Sequence, residues 1–195
     1  MPVDTTPLPR RRHAPWPWAL ACGLAALLAA TPTQAAKVVD LGTLNGGTYS
    51  SARAINNKGQ AIGNALDGVT LSYHQALWNK TTIQDWSTCC GSGLGVPKAL
   101  NLSREAAGYN EGGFDTYPVY WSATGTAIEL PGLPGGDRRG AAGDLNNAGV
   151  VAGYTREANS FSRHAVLWQA GLLVRDLGFM GTADSGVTNH SRAYG

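Results

Sequence analysis

Apolar and polar side chains alternate over short runs punctuated by Asn, Gly and Ser, and nothing after residue 36 sustains a period near 3.6. That pattern predicts strands rather than helices. Ala52-Arg-Ala-Ile55 alternates small and longer residues, and Asn56-Asn-Lys-Gly59 follows as a turn. Asn tolerates the left-handed backbone region and Gly enters it without a Cβ clash. Gln60-Ala-Ile-Gly-Asn64 then returns as the second arm of a hairpin. A polar loop over 67–72, a third strand ending at Trp78 and a fourth over 82–86 complete the unit.

The same order recurs along the chain. Polar loops are expected at 111–116 and 157–162, third strands end at Trp121 and Trp168, and fourth strands fall at 126–130 and 172–177. Gly63, Gly108 and Gly153 are each 45 residues apart, and the acidic residues Asp40, Asp85, Glu129 and Asp176 are separated by 45, 44 and 47. A fixed period of this length marks a repeat architecture. The units run over about 39–86, 87–130, 131–175 and, partially, 176–195. Four short strands per unit predict an all-β fold of four-stranded antiparallel blades in an incomplete β-propeller-like array.

Three motifs carry a resemblance to a known family: Asp40-Leu-Gly-Thr-Leu-Asn-Gly-Gly, Ile55-Asn-Asn-Lys-Gly-Gln60 and His164-Ala-Val-Leu-Trp168. Together they resemble the HAF-type probable extracellular repeat proteins, over essentially all of 39–195. The resemblance implies a secreted bacterial repeat protein, propeller-like, with no firmly assigned biochemical activity. The second unit departs from the pattern. Tyr117-Pro118 replaces the His-Ala pair, and Trp86-Ser-Thr-Cys-Cys-Gly-Ser-Gly93 replaces the Asp-Leu-Gly segment, which predicts a degenerate blade or a special loop.

Residues 1–36 read as a secretory signal peptide: a basic Arg10-Arg-Arg12, an apolar run from Trp16 to Ala30, and a small-residue cleavage site at Thr33-Gln-Ala35 or the adjacent Ala36. The run is short for a membrane span of about 20 residues. Cys22 and Arg11-Arg12 fit lipoprotein and twin-arginine signals poorly. A secreted product, periplasmic or extracellular, is therefore expected, with no transmembrane segment after cleavage.

Cleavage changes the charge. The chain has 15 basic and 13 acidic side chains, and the segment removed holds three arginines against Asp4, leaving 12 of each sign over 37–195. No basic stripe remains to neutralise phosphates, which argues against nucleic-acid binding.

Candidate chemistry is sparse. His74 and His164 occupy equivalent places before an apolar strand, which suits blade geometry, and no zinc-type Cys/His spacing or HExxH motif is present. His190 stands alone in the partial unit. A Gly-x-Ser-x-Gly elbow is absent. Asp144-Leu-Asn-Asn-Ala-Gly149 lacks the ligand pattern of a calcium loop and aligns with the hairpin turn of the first unit. No catalytic, cofactor or metal residue is therefore assigned, and no cofactor is expected. Trp78, Trp121 and Trp168 share one phase in the unit, as core residues between neighbouring blades would.

Ligand contacts are expected on the variable loops, near Tyr109, Phe114, Tyr117 and Phe161. Cys89 and Cys90 are adjacent, with a vicinal disulfide, an intermolecular bridge and free thiols all open. The leading expectation is a secreted non-enzymatic repeat protein, an extracellular binding or structural module for an unknown protein or glycan. A secreted hydrolase or lyase with its site in a propeller channel is the alternative, with Asp137, Arg138 and Arg139 as its candidates. An array of three blades and a fraction does not close alone. The sequence thus reads as a truncated and nonfunctional fragment, as one of several copies that self-assemble to complete a ring, or as an open curved array.

Overall fold

The alternation read along the chain becomes twelve β-strands, with no helix among the described residues. The structure is a computed structural model that describes residues 37–80, 82–86, 94–157, 162–169, 173–178 and 191–193. The expected signal peptide, Cys89, Cys90, Phe161, His190 and most of the partial fourth unit lie outside them.

β1 (Ser50–Ile55), β2 (Gln60–Leu66), β3 (Tyr73–Asn79) and β4 (Thr82–Asp85) form a first four-stranded sheet. β5 (Leu94–Leu100), β6 (Ala106–Gly112), β7 (Asp115–Trp121) and β8 (Ala127–Glu129) form a second. β9 (Gly140–Leu145), β10 (Val150–Arg156), β11 (Arg163–Gln169) and β12 (Leu173–Asp176) form a third. Within each sheet the strands that follow one another in the chain pair antiparallel. All twelve belong to one unit, Val39–Gly195. No helix of the described residues is long and apolar enough to cross a membrane.

Two expectations change in the second unit. Of the degenerate blade and the special loop expected there, the first gives way to a full four-stranded sheet and the second falls at 87–93, outside the described residues. Pro97 fits because β5 is an edge strand, where a missing N–H costs no ladder bond. The loop expected over 111–116 shrinks to Gly113 and Phe114, because Glu111 pairs with Thr116 and Gly112 with Asp115. Gly113 takes a φ of 66°, which a two-residue hairpin turn requires.

The turn after the first strand of each sheet is built the same way. Asn56 Oδ1 accepts from the Lys58 and Gln60 N–H groups, Asn101 Oδ1 from Ser103 and Glu105, and Asn146 Oδ1 from Ala148 and Val150. The amide ends of two of these residues reach the next sheet. Asn56 Nδ2 donates to the Asn101 carbonyl at 2.8 Å, and Asn101 Nδ2 to the Asn146 carbonyl at 3.2 Å. The Leu102 N–H adds a bond to Asn147 Oδ1 at 2.9 Å. One side chain thus closes a turn and ties two sheets together.

A β-bulge interrupts the first pair of strands in every sheet, leaving Arg53, Lys98 and Gly143 as the extra residues. Opposite each bulge stands a glycine of the second strand. A Cβ on Gly63, Gly108 or Gly153 would lie 1.9, 2.1 or 2.2 Å from the carbonyl oxygen of Ser51, Val96 or Ala141. The 45-residue glycine spacing therefore records a close backbone approach.

The core lies largely between the sheets. Ile62 and Leu77 of the first cluster with Leu100, Ala106, Val119 and Trp121 of the second. Ala99, Ala107 and Tyr120 of the second cluster with Ala142, Val151, Val166 and Trp168 of the third. Trp78, Trp121 and Trp168 are at most 1% exposed, so they fill the interior and offer no stacking surface.

Candidate functional site

The bulge positions govern what the chain presents beside its glycines. Arg53 donates through Nε to Asn64 Oδ1 at 3.0 Å. Lys98, at the equivalent place of the second sheet, lays its ammonium over the Tyr109 ring, 5.4 Å from the centroid. Gly143, at the equivalent place of the third sheet, has no side chain. A cavity of 410 Å³ opens at this point, bordered by Gly143 with Lys98, Tyr109, Tyr154 and Arg192. Tyr109 and Tyr154 are themselves equivalent, one on β6 and one on β10, 45 residues apart.

Segment 191–193 supplies the remaining wall. The Ser191 N–H donates to the Arg163 carbonyl at 2.8 Å, and Ser191 Oγ donates to the Gly178 carbonyl at 2.7 Å. The second contact repeats the bond from Ser50 Oγ to the Gly42 carbonyl in the first unit. Held there, Arg192 places its guanidinium 5.2 Å from the Tyr154 ring centroid, and Arg163 lies 4.8 Å from the same ring. Among the described residues, Lys98 and Arg192 are the charged side chains that line this cavity. Burial, followed by the nearby charge of Glu111, raises the Tyr109 phenol above its ordinary pKa, so it remains a hydrogen-bond donor at neutral pH.

A second cavity of 200 Å³ shares Thr116 and Tyr154 with the first. Asp115 binds two of its arginines, Arg139 at 3.1 Å and Arg156 at 3.7 Å. Phe114, fully exposed, stands at its edge.

The two histidines take part in a different construction. His74 Nδ1 lies 3.0 Å from Asp85 Oδ2, and its Nε2 lies 3.2 Å from Thr70 Oγ1. His164 Nδ1 lies 2.9 Å from Asp176 Oδ2, with Glu157 3.9 Å from its Nε2. The register makes Tyr117 and Glu129 their counterparts in the second sheet, and there Glu129 pairs with Arg138 at 2.7 Å instead. Ligand-type atoms of Asp67, His74 and Asp85 lie within 4.8 Å of one another. They are already engaged: Asp67 Oδ1 accepts from the Val69 and Thr70 N–H groups, and its Oδ2 from Asn45 Nδ2. The group works as a clasp that joins the loop after β2 to β3 and β4.

Of the residues singled out in the sequence, Tyr109 lines the larger cavity, and Arg139 and Phe114 line the smaller. Tyr117, Asp137 and Arg138 line neither. Asp137 accepts the Arg139 N–H in a charged turn. Sequence reasoning missed Lys98, Tyr154 and Arg192. The spacing of 53, 98 and 143 and of 64, 109 and 154 was the signal that marked two of them. Comparison with protein families, with curated proteins and with solved structures found no match to this chain.

Proposed function

We propose that this chain is a secreted, non-catalytic binding module, and that its three sheets are blades of a propeller-like array holding a ligand between the second and third. Three features support the array: the meander order within each sheet, the Asn bonds that step from sheet to sheet at 45 residues, and segment 191–193 docking beside the third sheet. The observation that carries the binding reading is the 410 Å³ cavity at Gly143. Its volume falls in the range of small-molecule sites, about 300–1,000 Å³, and aromatic and charged groups converge on it.

Binding is favoured over hydrolysis because the charged residues of the alternative site are occupied with one another. Arg138 pairs with Glu129, and Arg139 pairs with Asp115 and Asp137.

Gly143→Arg tests this reading by restoring the cation found at the equivalent positions 53 and 98 and so filling the cavity. The full chain, expressed in a bacterial host, is to be recovered from the periplasm or medium with a new N-terminus at residue 36 or 37. Probed against an array of envelope and extracellular glycans, it is expected to bind, and Gly143→Arg is expected to abolish that signal with the circular dichroism unchanged. Equal binding by both proteins would remove the cavity from the function.

A further inference from the structure

Residues 44–47 and 66–68 cross at the start of the first sheet with little room to spare. Leu44 and Asp67 pair in an isolated parallel bridge, and the Gly68 N–H donates to the Leu44 carbonyl at 3.1 Å. A Cβ on Gly68 would lie 2.3 Å from the Asn45 carbonyl oxygen, and one on Gly47 would lie 1.8 Å from that of Leu66. The Gly47 N–H donates to the Leu44 carbonyl at 2.7 Å, closing a two-residue turn with Asn45 and Gly46 at φ of 44° and 74°. From that turn Asn45 Nδ2 donates to Asp67 Oδ2, while Asp67 Oδ1 accepts the Val69 and Thr70 N–H groups. Asn45 thus holds the carboxylate that holds the loop after β2. Both Asn45 and Gly46 are exposed.

Asn45-Gly46 is the one Asn-Gly pair of the sequence. Glycine leaves its backbone nitrogen unhindered, and a Cβ at Gly46 would meet nothing within 4 Å, so base in the solvent reaches its N–H. We propose that Asn45 is a site of spontaneous deamidation, and that its acidic product unlatches the loop over 67–72. Base takes the Gly46 amide proton, the nitrogen bonds to Asn45 Cγ, and the Cγ–Nδ2 bond breaks to release ammonia. Water then opens the cyclic imide at one of its two carbonyls, leaving an aspartate or, with the chain routed through the side chain, an isoaspartate. Either product replaces the Nδ2 donor with a carboxylate facing that of Asp67, which is ionised at neutral pH. Two carboxylates sharing one place repel. The isoaspartate also lengthens the backbone of a turn that the close approaches at Gly47 and Gly68 leave no room to extend.

Incubation of the full chain at neutral and at alkaline pH, followed by digestion and mass spectrometry, tests the proposal. Asn45 is expected to gain the mass of an amide-to-acid change sooner than the exposed Asn57 and Asn79, and faster at the alkaline pH. Protein isoaspartate methyltransferase is expected to label the same peptide. In the modified chain hydrogen exchange at the Val69 and Thr70 N–H groups is expected to accelerate, while β10 keeps its protection. Asn45→Asp supplies the product without the reaction. Its folded-to-unfolded ratio at neutral pH, from urea midpoints, is expected to fall by about tenfold or more, the worth of one hydrogen bond to a charged group, and Asn57→Asp to leave it unchanged. Asn45 intact, or slower to change than Asn57 and Asn79, would overturn the site. Unchanged exchange at Val69 and Thr70, or Asn45→Asp as stable as the parent, would overturn the latch. The exchange measurement decides even where Asn45→Asp does not fold.

Discussion

Arg104 stands at a position that two of the three units give to glycine. The turns after β1, β5 and β9 place Gly59, Arg104 and Gly149 at φ of 74°, 65° and 76°. For an L-residue with a Cβ the left-handed region costs about 1–2 kcal/mol, and glycine escapes it. Arg104→Gly is therefore expected to stabilise the chain by about 1 kcal/mol, read as a higher urea midpoint with an unchanged slope. A lower midpoint would show that the arginine repays its strain through contacts of its side chain. Asp67 presents the opposite case, a residue whose conformation is relaxed and whose charge is held. The Thr70 N–H, helped by Asn45 and the Val69 N–H against the opposing effect of burial, pushes its carboxyl down to about 2. The unfolded carboxyl titrates near 4, so between about pH 4 and pH 2 the unfolded chain binds the extra proton. Stability from Asp67 is thus complete above that window and is lost as pH falls through it. Asp67→Asn is expected to lower stability at neutral pH and to flatten its decline between about pH 5 and pH 2. Urea midpoints across that range measure both, and parallel declines in the two proteins would refute the assignment.

At the scale of the strand pair, the bulge and its opposing glycine act as one device. The bulge turns Arg53 or Lys98 off the ladder, and the glycine lets the backbone opposite it come close. Gly108→Ala would put a methyl 2.1 Å from the Val96 carbonyl oxygen, with backbone atoms as the neighbours that must yield. The expected cost is at the upper end of the 1–3 kcal/mol typical of overpacking, or loss of soluble protein, whereas Gly46→Ala meets nothing within 4 Å and serves as a comparison for backbone strain alone. Thermal unfolding of the two variants tests the contrast. This device also explains what the sequence disclosed. Strands and Asn turns were legible because alternation and Asx-type hydrogen bonds act within a few residues, and the glycine period was legible as arithmetic. The bulge itself was not, since it depends on which residue of a partner strand is skipped. The cavity was less legible still: it arises where Gly143 lacks a side chain that positions 53 and 98 carry, and its walls come from residues as far apart as Lys98 and Arg192. The loop at 111–116 misled because polar residues suit both a turn and the end of a hairpin, and only pairing distinguishes them.

Among the described residues of Val39–Gly195, the first sheet meets the second and the second meets the third, each pair joined by an apolar cluster and a hydrogen bond from an Asn turn. Such an arrangement stores its stability in neighbour-to-neighbour interfaces. Asn56 and Asn101 divide those interfaces between them. The Asn56 amide serves the junction of the first and second sheets through the Asn101 backbone carbonyl, a group that survives substitution of Asn101. The Asn101 amide serves the junction of the second and third through Asn146. Each change to Ala removes one inter-sheet bond and three bonds within its own turn, a loss of about 1–3 kcal/mol for buried groups left unpaired. Amide hydrogen exchange separates the two effects. Asn56→Ala is expected to accelerate exchange in β1, β2 and β5 while β10 and β11 keep their protection. Asn101→Ala is expected to accelerate it in β5, β6 and β9 while β2 and β3 keep theirs. Uniform loss of protection in both variants would mean that the three sheets open as a single cooperative unit, and that the Asn bonds contribute to overall stability without partitioning it.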